Sequence, residues 1–230
     1  MTIILFKDGV LASDSMGITG FQGAYIIKES SIMKKIYVSK CKTFAWGICG
    51  QAPNEVVHDE IEQSLKERLL SWHLHLATIA YSRLSNPTES QKLLLSNLDK
   101  LKAYIDKTYD KYVTPHLKAS NVLIITKDNV FDIGEDEIAK GKNNLCIASK
   151  DRPQALGSAY KIAYLLSNAG ATCNEIIDMC IKHNFEHCSY PLQSIAMANL
   201  KPIRINIKTY GKDAYKAIGL KAGDLNLDNI

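Results

Sequence analysis

Apolar and polar positions along the chain fall into short β-prone runs interrupted by two blocks of helical spacing. Residues 2–6 (TIILF) and 9–14 (GVLASD) are such runs, separated by Lys7-Asp8 with Gly9 supplying turn chemistry, which predicts a tight antiparallel hairpin. A hairpin brings its two open ends together, so Thr2 and Asp14 are expected as near neighbours. Residues 15–31 carry Gly17, Gly20 and Gly23. They read either as a loop lying close to a ligand or as a surface connection that needs glycine for its turns. KKIYVS (34–39) and TFAWGICG (43–50) form a second expected hairpin, ending in a glycine that leads into a helix.

Two long helices are expected over 52–84 and 87–112, broken at Asn86-Pro87. Val56, Val57, Ile61, Leu65, Leu69, Leu76, Ile79 and Ala80 recur at helical spacing in the first, and Leu94, Leu98, Leu101, Ile105 and Tyr109 in the second. NVLIIT (121–126) and NVFDI (129–133) make a third hairpin around Lys127-Asp128, and LCIAS (145–149) a further strand. Helices over about 153–168 and 172–184 follow. Asn168-Ala169-Gly170 closes the first of these, and Thr172 with Glu175 opens the second as a capping box. IAMANL (195–200) and IRINIK (203–208) read as strands around Lys201-Pro202, and the tail from 211 to 230 is weakly patterned.

Strands, two helices, strands, two helices, strands is not the alternation of a doubly wound sheet. It suits an α+β chain built as a four-layer α/β/β/α sandwich, two antiparallel sheets face to face with a helix pair over each. One domain is expected over 1–210, with an enlarged helical segment at 52–115 and a tail at 211–230.

Composition narrows the function classes. With 28 basic and 24 acidic residues interspersed along 230, the net charge of +4 forms no patch or arm, and nucleic acid is not an expected partner. Six cysteines (Cys41, Cys49, Cys146, Cys173, Cys180, Cys188) without a C-x-x-C pair read as reduced core residues of a cytosolic-type compartment. No charged-then-apolar leader and no run of about 18 apolar residues is present, so no membrane association is expected. His73 and His75 are two apart and diverge on a helix, so they do not make a metal pair, and no metal or organic cofactor is implied.

The candidate chemistry lies at the start of the chain. Threonine is small enough for Met1 to be removed in front of it, which would leave Thr2 with a hydroxyl and a free α-amine, nucleophile and base in one residue. Thr2 is followed by Ala12-Ser13-Asp14-Ser15, then Met33-Lys34-Lys35-Ile36, then Trp46-Gly47-Ile48-Cys49-Gly50. In that order and spacing the chain resembles the N-terminal nucleophile hydrolases, and within them the proteasome β-subunits and bacterial HslV, over residues 2 to about 208. The resemblance implies that Lys35, kept protonated, lowers the proton affinity of the Thr2 hydroxyl while Asp14 orients it, and that the Gly50 N–H faces an oxyanion. Ser149 is matched to the family's serine in a G-S-G turn after a strand, and Glu186 with Ser189 to its D-x-x-S motif. Ile18 would lend backbone to the substrate; Met33, Ile48 and Ala52 would line an apolar pocket.

The chain departs from the family pattern in places. Ala148 and Lys150 replace the glycines around Ser149, and glutamate stands at 186 in place of aspartate. The first hairpin is shorter, with 14 − 2 = 12 positions from Thr2 to Asp14, and an even shortening is expected to keep both on one face. The implied activity is a threonine-type endopeptidase in a cytoplasmic homo-oligomeric ring, acting on peptide or protein substrates and leaving room for an unfoldase partner. Two alternatives stay open: a catalytically silent shell or assembly subunit, including one of a phage or virus particle, and an amidase of small molecules on the same fold.

Overall fold

The computed structural model describes residues 3–17, 31–50, 55–82, 120–133, 146–183 and 188–201, with single positions at 89, 92, 96, 99, 100 and 103. Thr2, Ile18, Ala52, Glu186, the expected strand 203–208 and the tail 211–230 lie outside the described residues. The strands in chain order are β1 (Ile3–Lys7), β2 (Val10–Ser13), β3 (Met16–Gly17), β4 (Ser31–Ile32), β5 (Ile36–Val38), β6 (Phe44–Gly50), β7 (Ser120–Thr126), β8 (Val130–Ile133), β9 (Cys146–Ala148), β10 (Gln154–Gly157) and β11 (Gln193–Ala196). The helices are α1 (Glu55–Ser82), α2 (Tyr160–Asn168) and α3 (Cys173–Lys182). By internal contacts the chain divides into one unit of Met1–Ala52 with Leu117–Ile203 and another of Pro53–His116 with Arg204–Ile230.

In the first unit, β1 and β2 form the expected hairpin, with Asp8 at φ +50° and Gly9 at φ +75° as its two turn residues. Positive φ at both central positions is what a type I′ turn requires and what Asp-Gly tolerates, so the turn falls one residue later than Lys7-Asp8. β10 and β11 add on either side, giving an antiparallel sheet in the order β10-β1-β2-β11. Alternation along the hairpin then separates two cores. Ile3, Leu5 and Ala12 bury with Ala163, Ile176, Ile177 and Cys180 of α2 and α3. Ile4, Phe6 and Leu11 bury on the other face with Ile36, Ala45, Leu123, Ile125 and Val130 of a second antiparallel sheet, ordered β5-β6-β7-β8-β9. The sheets approach so closely at Gly47 that a Cβ there would lie 2.8 Å from Cγ2 of Ile4. Helix pair, sheet and sheet are three of the four expected layers.

Two elements differ from expectation. Residues 154–157 form β10 and not the first turn of a helix from 153. The alternating Ala155 and Leu156 bury against opposite sides of the β1 ladder, and Gly157 at φ +95° turns the chain into α2. Residues 197–199 form a 3₁₀ turn, so the strand expected over 195–200 runs 193–196. That turn places Met197 and Leu200, three apart, together in the core between the sheets. α3 opens on the expected capping box of Thr172 and Glu175, and Gly170, at φ +92°, follows α2.

In the second unit, α1 has Ile61, Leu65 and Leu69 at 1% exposure or less, four residues apart on one face. Of the second expected helix only positions 89, 92, 96, 99, 100 and 103 are described, each helical. Among the described residues no helix is long and apolar enough to cross a membrane.

Candidate functional site

β2 ends at Ser13, and the next residue, Asp14, is fully buried. Its Oδ1 accepts the Ile3 N–H at 3.0 Å and Lys35 Nζ at 2.8 Å, and its Oδ2 accepts the Met16 N–H at 2.9 Å and the Ser189 N–H at 3.4 Å. The bond to Met16, two residues on, is the local turn that an aspartate favours after a strand. Lys35, 6% exposed, precedes β5 and completes a buried ion pair. Burial pushes the Lys35 ammonium below its usual 10.5, opposed by the Asp14 charge and hydrogen bond and by smaller contributions from Cys188 and Cys49.

The expectation that an even shortening keeps Thr2 and Asp14 on one face falls on Thr2, outside the described residues. Hairpin partners such as Ile4 and Ser13 have numbers summing to 4 + 13 = 17, so residues sharing a face across β1 and β2 differ by an odd number. Asp14 follows β2 directly and meets β1 at Ile3, where 14 + 3 = 17 continues the register.

The backbone of Lys35 is held from both sheets. Its carbonyl accepts the Ile48 N–H of β6 at 3.2 Å, and its N–H donates at 3.0 Å to Oε1 of Gln193 on β11. Along a strand every second N–H points the same way, so the Gly50 N–H lies on the same edge of β6 as that of Ile48. Gly50 itself has φ +106°, a conformation that favours glycine.

Ser189 joins the pair through its N–H to Asp14 and through its carbonyl, which accepts the Ser15 N–H at 3.0 Å. Met33 is half-buried, its N–H bonded to the Ser15 carbonyl at 2.8 Å, and Ile48 is buried beside Lys35. Ser149 is not brought to the site. It follows β9, which lies four strands from β5 at the opposite edge of the second sheet, and its hydroxyl accepts the Asp151 N–H. The Gly-Ser turn beside the hairpin is instead Gly157-Ser158: Gly157 pairs with Ile3 at the described end of β1, and Ser158 follows it. The signal was in the sequence, as glycine-serine directly before a helix, but the expected helix from 153 absorbed it. Gln193, equally unforeseen, carries no motif at all.

Cys49, Cys173, Cys180 and Cys188 are buried free thiols, whereas Cys41 is exposed, against the expectation of a core position. Among the described residues no three His, Cys, Asp or Glu side chains form a metal-like group.

No protein-family model matches the sequence, and no characterised protein matches it. Among solved structures, the chain is similar to eukaryotic HslV from Trypanosoma brucei, with 10% identity over 85% of this chain and 98% of that one and a TM-score of 0.47. It is likewise similar to BPH from Thiobacillus denitrificans, with 18% identity over 88% and 99% and a TM-score of 0.43. The same protein in complex with epoxomicin gives 18% identity over 87% and 99%, with a TM-score of 0.42.

Proposed function

We propose that the chain is a threonine peptidase of the proteasome β-subunit and HslV type, acting through Thr2 once Met1 is removed. The observation that carries this reading is the Asp14 carboxylate. It holds the Ile3 N–H, the peptide group that joins position 2 to the rest of the chain, and Lys35 Nζ on the same oxygen. A buried ammonium at the origin of the chain is what a threonine hydroxyl needs to be activated at neutral pH.

In the proposed reaction the Thr2 hydroxyl oxygen attacks the scissile carbonyl carbon while its proton passes to the Thr2 α-amine, directly or through a water. Lys35 stays protonated and lowers the proton affinity of the hydroxyl; Asp14 holds Lys35 in place. The Gly50 N–H stabilises the tetrahedral oxyanion. Collapse breaks the C–N bond, the leaving amine takes the proton from the α-ammonium, and an ester remains on Thr2. Water then attacks the ester, giving up its proton through the α-amine, and regenerates the threonine. Ser158, and with it Glu186 and Ser189, would position Thr2 and Lys35 by hydrogen bonds, and Ile18, Met33, Ile48 and Ala52 would contact the substrate. Assembly into a homo-oligomer accompanies this reading.

Natively expressed protein is expected to lack Met1 by intact mass, to hydrolyse fluorogenic peptides, and to form an epoxyketone adduct on Thr2, which needs both the free amine and the hydroxyl. Full retention of Met1, or no adduct on processed chain, overturns the reading and leaves a shell subunit.

A further inference from the structure

One side chain outside the motif bonds both sheets around Lys35. Gln193 stands on β11, at one edge of the first sheet among the described residues, and faces the segment that leads into β5, at one edge of the second. Its Oε1 accepts two N–H groups, from Lys35 at 3.0 Å and from Ile36 at 3.2 Å. Its Nε2 donates to the Met33 carbonyl at 2.7 Å and to the Ser15 hydroxyl, which in turn donates to the Pro191 carbonyl. The acceptor and donor ends of the amide are thus both used.

Every one of those partners lies next to a group already placed at the site. Ser15 follows Asp14, Met33 and Ile36 flank Lys35, and Pro191 is two residues past Ser189. Ile36 is the first residue of β5, so Lys35 itself lies before the strand, and its N–H bond is the one to Gln193. The amide also forms part of the wall of a largely apolar groove of about 400 Å³ with Met33, Ile36, Val38, Pro191 and Ile195.

We propose that Gln193 is a positioning residue: by clamping Met33, Lys35 and Ile36 of the second sheet to Ser15 of the first, it fixes where Lys35 Nζ meets Asp14. The functional half of this inference rests on the threonine peptidase reading; the positional half does not. A long, unbranched lysine has enough rotamers to leave a buried site, and burial favours its leaving, since the charge costs free energy away from water. The Asp14 bond draws Nζ inward, but it can do so only while the backbone at 35 is held within reach. Gln193 supplies that hold without contacting the ammonium.

The test uses full-length protein labelled with ¹³Cε-lysine, the Lys35 signal being assigned by its loss in Lys35→Arg. Gln193→Met keeps the volume and removes all four hydrogen bonds; Gln193→Glu keeps the two accepting bonds and loses the two donated ones. The charged and titratable groups that act on Lys35 are Asp14, Cys49 and Cys188, none of which is altered. The titration midpoint of Lys35 is expected to move upward, towards an ordinary lysine, in Gln193→Met, as Nζ gains water. In Gln193→Glu it is expected to rise as well, with the added carboxylate contributing. In processed protein, kcat for a fluorogenic peptide should fall on the order of 10²-fold in Gln193→Met, with its pH profile displaced in the same direction as the Lys35 midpoint. An unchanged Lys35 midpoint in a folded Gln193→Met protein overturns the proposal, whatever happens to activity. If the parent protein has no peptidase activity the enzyme reading fails alone, because a displaced Lys35 midpoint still establishes the clamp. If Gln193→Met does not fold, the midpoint of Gln193→Leu, which likewise removes all four hydrogen bonds and adds no charge, decides in the same way.

Discussion

The Lys35–Asp14 pair has unequal partners, and the inequality is measurable. Asp14 has three backbone N–H donors besides Lys35 and stays solvated by the chain when the lysine is gone; Lys35 has the carboxylate as its hydrogen-bonded counter-ion. Asp14→Asn should therefore cost about 3–5 kcal/mol, as expected when one partner of a buried pair is removed, and Lys35→Met clearly less, both read from urea midpoints. The pH dependence follows from the direction of the Lys35 shift. With the folded value below the unfolded 10.5, the unfolded chain holds the extra proton between the two, so stability from this group rises with pH across that window. The stability difference between parent and Lys35→Met should be flat below the folded value and grow in the parent's favour up to 10.5; a difference that shrinks instead would reverse the assignment. Asp14 and Lys35 were readable because each stands in a short local motif, Ala12-Ser13-Asp14-Ser15 and Met33-Lys34-Lys35-Ile36, whose order along the chain the resemblance supplied. Gln193 was not, because bonds from a side-chain amide to distant backbone leave no spacing to detect.

At the scale of elements, periodicity identified the hairpins of β1 with β2, β5 with β6 and β7 with β8, and cap chemistry identified the start of α3. It failed over 197–199, where a 3₁₀ turn stands in place of the expected strand, and over 154–157, which had to choose between strand and helix. Pro153-Gln154-Ala155-Leu156-Gly157 begins a helix as readily as it makes a strand, and only the open edge of β1 decides. That single error also hid Ser158. The close approach of the sheets was legible only as a glycine inside an apolar strand, and the structure gives it a cause. Gly47→Ala should destabilise by about 1–3 kcal/mol, since its new methyl meets a side chain that is itself fully buried. Combining it with Ile4→Ala, which vacates that space, should cost less than the sum of the two single changes in equilibrium unfolding; strict additivity would show that the contact is not what Gly47 avoids.

Across the whole molecule, the buried thiols set an alkaline limit. Burial pushes Cys49 and Cys180 up to about 11 and Cys173 and Cys188 up to about 12, against 9.0 for an exposed thiol. The unfolded chain loses these protons first, so the stability they contribute is complete below pH 9.0 and lost as the pH rises through 11 to 12. Urea midpoints should fall steadily over that range. In native protein an aromatic disulfide reagent should modify Cys41 ahead of the four buried thiols, and Cys41→Ser should remove one equivalent from the fast phase. The clamp on Lys35 has a consequence in time as well. Lys35 and Gln193 are separated by 158 residues, so at synthesis rates of 5–20 residues per second roughly 8–30 s pass between the making of the lysine and the making of its holder. Through that interval a nascent chain carries the hairpin, the aspartate and the lysine with the β11 side of β2 unfilled, and the arrangement closes only once β11 has been made. The order in which the protein is made thus keeps the two charges from being fixed against each other until almost all of the chain that surrounds them has been synthesised.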